Sequence, residues 1–145
     1  MHSLATLQRS IPAMSEHDLN KVRSLESIVA EMPQVQLDAS HTLHAGMYAR
    51  TIKVEPGILV VGAYIQVDTV IIVQGKSIIY VGDTAVELNG YNVIPAHKGR
   101  KQALLAIDEC YVTMIFPTEA LTVEEAEEEF TNEAHKLQTR MKSEA

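Results

Sequence analysis

Residues 71–94 read IIVQGKSIIYVGDTAVELNGYNVI, and the reading of this stretch decides the class of fold. Short runs rich in Val, Ile and Tyr are separated by Gln74-Gly75-Lys76, Gly82-Asp83 and Asn89-Gly90. β-Branched and aromatic side chains suit a pleated, half-buried surface, whereas Gly, Asn and Asp supply the backbone conformations of tight turns. Two-residue breaks of this kind are the ones that close hairpins. The same texture continues outward. Met47 to Val54, Ile58 to Val61 and Ala63 to Val73 lead into Ser77 to Val81, Thr84 to Leu88 and Tyr91 to Ile94; Ala103 to Ile107 and Cys110 to Phe116 follow. No helical segment interrupts them, which excludes βαβ units. An antiparallel, mainly β sandwich or barrel is expected over residues 34–117.

The flanks read differently. Residues 1–14 show no period and are expected to be a loose N-terminal arm. Ser15 with Asp18 three residues on marks a helix start, because a hydroxyl can accept from an early N–H and an acid suits the positive end of the dipole. Leu19, Val22, Leu25 or Glu26, Val29 and Met32 then recur at helical spacing until Pro33, predicting an amphipathic helix over 15–33. Beyond Pro117, Thr122 and Glu125 form a second capping box, and Val123, Ala126, Phe130, Ala134, Leu137 and Met141 make a narrow stripe. An acidic C-terminal helix over 118–145 is expected, with its Glu124 to Glu129 run on a solvated face near the favourable dipole end. Spare apolar faces at both ends predict self-association into a homo-oligomer.

Composition bounds the rest. A chain of 145 residues with 46% hydrophobic and 21% charged residues can bury one core without disulfides or metal. The net charge is −7, and residues 122–145 hold seven acids against three bases, so that segment supplies −4 of it. With no clustered Lys and Arg and no Trp, bulk nucleic-acid binding is disfavoured. No apolar run approaches the roughly 18 to 20 residues of a membrane helix, and no charged-then-apolar leader opens the chain. The expectation is a protein neither membrane-bound nor secreted. The single Cys110 fits a reducing compartment and reads as an inert, buried thiol.

The stretch His41-Thr42-Leu43-His44-Ala45-Gly46-Met47-Tyr48-Ala49-Arg50 through Pro95 to Phe116-Pro117-Thr118 resembles a cupin domain of a group of small phage-encoded proteins. Gly90-Tyr91-Asn92-Val93-Ile94-Pro95, Arg100-Lys101-Gln102-Ala103 and Val123-Glu124-Glu125-Ala126-Glu127-Glu128-Glu129-Phe130 carry most of the likeness. The resemblance implies a double-stranded β-helix, or jelly roll, and residence in the host cytoplasm or the virion. Metal-binding cupins place His and Glu ligands in two motifs. Aligned on Gly75, this chain has Asp68 at the glutamate and Tyr64 and Gly62 at the histidines; aligned on Pro95, it has His97 at a glycine and Arg100 at the last histidine. One carboxylate beside an arginine does not make the three or four converging ligands a transition metal wants. No metal site and no cofactor are expected.

Arg100, Lys101 and Gln102 are the leading candidates for a binding site, since Arg is a permanently charged, bidentate donor suited to carboxylate or phosphate. The competing account is a solvated strand start or a salt bridge to Asp68, Glu87 or a neighbouring subunit. Arg50 alternates with Tyr48, Ile52 and Val54 and so shares a face with apolar residues, where it needs a partner or a ligand. Tyr64, Gln66 and Asp68 alternate in turn and face either solvent or a barrel cavity. His97 is a turn residue or a contact at the barrel mouth, and His41 and His44 are read as structural. No nucleophile motif, phosphate loop or zinc helix motif occurs. The sequence therefore favours a non-enzymatic protein that binds a small anionic metabolite or signalling nucleotide. Its competitors are a virion assembly protein, with other virion proteins as partners, and a diverged isomerase or lyase using Tyr64 or His97.

Overall fold

Over residues 10–137, which the computed structural model describes, the chain builds one helix, nine strands and a second, shorter helix. In order these are α1 (Glu16–Ala30), β1 (Ala39–His44), β2 (Met47–Val54), β3 (Leu59–Val61), β4 (Thr69–Gln74) and β5 (Ser77–Val81). Then come β6 (Thr84–Leu88), β7 (Tyr91–Ala96), β8 (Ala103–Ala106), β9 (Cys110–Pro117) and α2 (Val123–Phe130), before a 3-10 turn at Ala134–Lys136. The strands form two antiparallel sheets, β1-β2-β9-β4-β7 and β3-β8-β5-β6. With β1 set aside, one sheet holds the first, eighth, third and sixth of the remaining strands, and the other holds the second, seventh, fourth and fifth. That double Greek-key order is a jelly roll.

Alternation decides which side faces in. On β7, Asn92, Ile94 and Ala96 are buried while Tyr91, Val93 and Pro95 are exposed; on β4, Thr69, Ile71 and Val73 are buried. The inward set joins Val54, Ile79, Val86, Leu88, Ala106 and Cys110 in the main core between the sheets. A second core forms where Ala126 and Phe130 of α2, with Ala134 and Leu137, pack on Tyr48 and Phe116. Its rings meet edge-on or stacked, with Tyr48–Phe116 centroids 5.6 Å apart and Phe116–Phe130 6.0 Å. A third core sets Met14, Leu19 and Val22 against Val61, Tyr64 and Val81.

Both predicted helix caps form. Ser15 accepts from the Asp18 N–H and Thr122 from the Glu125 N–H. Several expectations need correction. The arm is not loose at its end, because Ile11 is fully buried and bridges Ala96, donating to the Pro95 carbonyl and accepting from the His97 N–H; residues 1–9 lie outside the described ones. The run Ala63 to Val73 is not one strand. Gly62 and Ile65 donate to the Gln102 and Arg100 carbonyls at the corner between sheets, and regular pairing resumes only at Thr69. Asn89-Gly90 and Gln74-Gly75-Lys76 carry the chain from one sheet to the other, whereas Gly82-Asp83 does close a hairpin. His41 and His44 belong to a strand, β1, which hairpins onto β2 through Ala45-Gly46, both at positive φ.

The acidic helix is shorter than its stripe suggested. It stops at Phe130 because Gln66 takes its last carbonyls, the backbone N–H on Phe130 at 2.8 Å and the side-chain amide on Glu129 at 3.2 Å, and Thr131 is extended. Ala134 and Leu137 still reach the second core; Met141 and the rest of the expected helix lie outside the described residues. The Glu run is not wholly solvated either, since Glu127 is buried. Among the described residues the apolar face of α2 is thus spent within the chain, while Met32 of the N-terminal stripe on which self-association was expected is exposed, as is Ile28 outside that stripe. Among the described residues no helix is long and apolar enough to cross a membrane.

Candidate functional site

A cavity of about 250 Å³ lies between the two sheets. Its apolar wall includes Ile71 and Val73 on β4, Ile79 on β5, Leu104 on β8, and Val112 and Met114 on β9, with Ile52 on β2 and Val60 on β3 beside them. Phe130 and Leu137 close it from the second core, and Glu26 of α1 with Glu133 and Lys136 of the C-terminal segment add charged groups to its boundary. The volume is just below the roughly 300–1,000 Å³ of pockets for drug-sized ligands, and the mostly apolar lining with a few placed polar groups is what such pockets share.

Arg100, Gln102 and Arg50 supply polar groups from the barrel itself. Gly99, at φ +86°, turns the chain so that Arg100 bridges Ile65, and the guanidinium points inward. Arg100 is only 2% exposed. It donates to four acceptors: Gln102 Oε1 at 3.2 Å, the carbonyls of Ala96 at 3.3 Å and His97 at 2.9 Å, and Thr69 Oγ1 at 2.7 Å. All are neutral. Burial brings its pKa down to about 10, opposed by the charge of Asp68, so it remains a cation at neutral pH. Asp68 itself is 72% exposed and spends its carboxylate on the Lys98 N–H at 2.9 Å. Because Gln102 Oε1 must face the Arg100 Nε–H, the amide orientation is fixed, and Gln102 Nε2 is a buried donor with no partner among the described residues.

Arg50 does share the inward face with Tyr48 and Val54, and it has a partner. Its Nη1 lies 3.0 Å from Glu127 Oε2, and its guanidinium sits 5.9 Å from the Phe130 ring centroid. Behind it, Tyr48 Oη meets His41 Nδ1 at 2.7 Å. Burial pushes the Tyr48 phenol up and, with the charge of Arg50, pushes the His41 imidazole down. His41 is thereby held neutral in a structural contact. His44, three residues along the same strand, is exposed.

The remaining candidates lie elsewhere. Lys101 is completely buried behind the cavity wall, its ammonium 2.9 Å from both Glu26 Oε2 and Glu133 Oε1. Tyr64 packs in the third core and gives its N–H to Glu133, and Gln66 caps α2 from an exposed position. His97 is at the surface beside Asp68, at 4.0 Å. The structure therefore brings Arg50, Arg100 and Gln102 together and sets Lys101, Tyr64, Gln66 and His97 apart from the cavity. Sequence reasoning missed Glu26, Glu133, Lys136 and Phe130. Glu26 left one trace, a charged residue at an apolar position of the α1 stripe; Glu133 left none. At the surface His17, Asp18 and Asp83 bring ligand-type atoms within 4.8 Å of one another, where Lys21 already donates to Asp83.

No family model matches the chain, and no curated protein does. Solved structures similar to it include a cupin-2 domain protein from Shewanella frigidimarina, 22% identical over 68% of this chain and 97% of that one, with a TM-score of 0.46. A Klebsiella pneumoniae protein with a double-stranded β-helix domain is 12% identical over 62% and 80% of the two chains, with a TM-score of 0.49. A cupin 2 conserved barrel domain protein from Salinispora arenicola is 13% identical over 59% and 82%, at 0.46. At these scores the assignment of the fold rests on the strand order.

Proposed function

We propose that the chain is a non-enzymatic jelly-roll protein that sequesters a small anionic molecule inside its barrel. The observation that carries this reading is the Arg100–Gln102 pair: a buried cation met only by neutral acceptors, beside a buried amide donor left unpaired, both on a cavity wall. An unsatisfied buried donor costs about 1–3 kcal/mol and an unpaired buried charge more. A bound anion relieves both. Catalysis has weaker support, because Tyr64 and His97, the acid–base candidates, lie off the cavity, and the carboxylates that reach it are tied to Lys101 and Lys136.

Thermal unfolding against a panel of small organic anions, checked by titration calorimetry, tests the proposal. A ligand at 100 times its Kd adds about 2.7 kcal/mol, a rise in Tm of roughly 8 °C at this size, with one site per chain. If no anion in the panel raises Tm while neutral apolar compounds do, the anionic reading fails.

A further inference from the structure

The polar groups around the cavity can be paired off. Arg50, Arg100, Lys101 and Lys136 are the cations, and Glu26, Glu127 and Glu133 the carboxylates. Glu127 answers Arg50; Glu26 and Glu133 answer Lys101 and Lys136. Among the described residues of this group Arg100 is the cation with no carboxylate in contact. Asp68, whose charge acts on it, is exposed and not in contact, so at the cavity wall Arg100 has no counter-charge touching it. The other cations on the lining, Arg50 and Lys136, are already held by Glu127 and Glu133, so a ligand with two charges would leave its second without a free counter-charge in a largely apolar cavity, with Glu26 and Glu133 among its neighbours. A neutral ligand would satisfy Gln102 and leave Arg100 as it was.

The rest of the lining fixes the ligand's body. Ile71, Val73, Ile79, Leu104 and Val112 offer no hydrogen bond, so a sugar or a base would lose its water without compensation. At about 250 Å³ the cavity lies just below the roughly 300–1,000 Å³ of pockets for drug-sized ligands, which favours a small body. Building on the reading of the barrel as an anion site, we propose that its ligand is a compact amphipathic monocarboxylate. One carboxylate oxygen accepts from Gln102 Nε2 beside Arg100, and a branched or cyclic hydrocarbon body lies on the wall of β4, β5, β8 and β9. The geometry disfavours a signalling nucleotide, whose phosphates and polar base match neither feature.

Titration calorimetry of the full chain tests this with four probes: cyclohexanecarboxylate, cyclohexanemethanol, cyclohexane-1,2-dicarboxylate and adenosine monophosphate. The monocarboxylate is expected to bind one per chain, at least tenfold tighter than the alcohol, with no heat from the dicarboxylate or the nucleotide. Gln102→Glu places a carboxylate beside Arg100 and removes the free donor; it should weaken the monocarboxylate at least a hundredfold while the alcohol still binds. Gln102→Met, which adds no charge, is the second variant should the first fail to fold, and a loss of about tenfold is expected. Equal binding of alcohol and acid overturns the monocarboxylate and the anion reading together. Preference for the dicarboxylate or the nucleotide overturns the monocarboxylate alone and leaves an anion site. Failure of all four probes to bind overturns both.

Discussion

Replacing Lys101 by Met keeps most of the side-chain volume and deletes the ammonium, which makes it a clean perturbation of the clasp between α1 and the C-terminal segment. Lys101 is 0% exposed, and its carboxylate partners Glu26 and Glu133 are 30% and 18% exposed. Breaking a buried pair by removing one partner costs about 3–5 kcal/mol, because the other charge stays behind. Here two carboxylates stay behind, facing each other with some access to water, so the lower end, about 3 kcal/mol, is expected. The titration of Glu133 gives an independent bound. Burial pushes its carboxyl up, but the Lys101 hydrogen bond, the Tyr64 N–H and the charges of Lys101 and Lys136 outweigh that and bring it from 4.5 to about 2. At roughly 1.4 kcal/mol per pKa unit, that is about 3 kcal/mol for all partners together, before a reduction for the wet edge. Urea unfolding at pH 7 should show the loss with an unchanged m-value, and Tm should fall by roughly 10 °C. Since Glu133 is held below its unfolded value, its contribution is complete above about pH 4.5 and vanishes as the pH falls to about 2. The gap between parent and variant should close across that window, and Lys101→Met with Glu133→Gln should recover part of the loss. A variant within 1 kcal/mol of the parent at pH 7, or a gap that ignores pH, would refute the reasoning.

Two further changes probe the corrected parts of the fold. Ile11→Ala should cost about 2–4 kcal/mol by urea unfolding, the usual cost of emptying a buried isoleucine site, whereas a loose arm would show no change. Gly82→Ala should lower Tm by several degrees, because Gly82 sits at φ +66° and an added Cβ would overlap the Asp18 carboxyl at the start of α1; an unchanged or raised Tm would mean that the β5–β6 turn does not rest on α1.

The class of fold was legible because it depends on local alternation. The pattern of β2, with Tyr48, Arg50, Ile52 and Val54 on one face, is written in consecutive residues, and so are both capping boxes. What escaped depends on partners distant in sequence. Asn89-Gly90 is the strongest short-range hairpin signal in the chain, yet β6 and β7 belong to different sheets, and only long-range pairing decides that. The end of α2 is set by Gln66, more than sixty positions upstream. The same holds at the site. Arg100 and Gln102 were visible as unusual residues at a strand start, but nothing local separates Arg100, which faces the cavity, from Lys101, whose ammonium is turned to Glu26 and Glu133. Of the acidic run Glu124 to Glu129, only the position of Arg50 across the second core reveals why Glu127 is buried.

The place of β9 has a consequence for how the protein is made. It lies between β2 and β4, pairing residues 110–117 with Met47–Val54 on one side and Val70–Gln74 on the other. A nascent chain leaves the ribosome from its N-terminus, so β2 and β4 both emerge well before the strand that joins them. Until residue 117 is out, the larger sheet can form only as a β1–β2 hairpin and a β4–β7 pair, with open edges at β2 and at the Val- and Ile-rich β4. Such edges invite pairing with other chains, and closure over long sequence separations is slow. This barrel should therefore depend on holding chaperones during synthesis more than on its own early contacts, and a ribosome stalled before residue 110 should display an aggregation-prone intermediate.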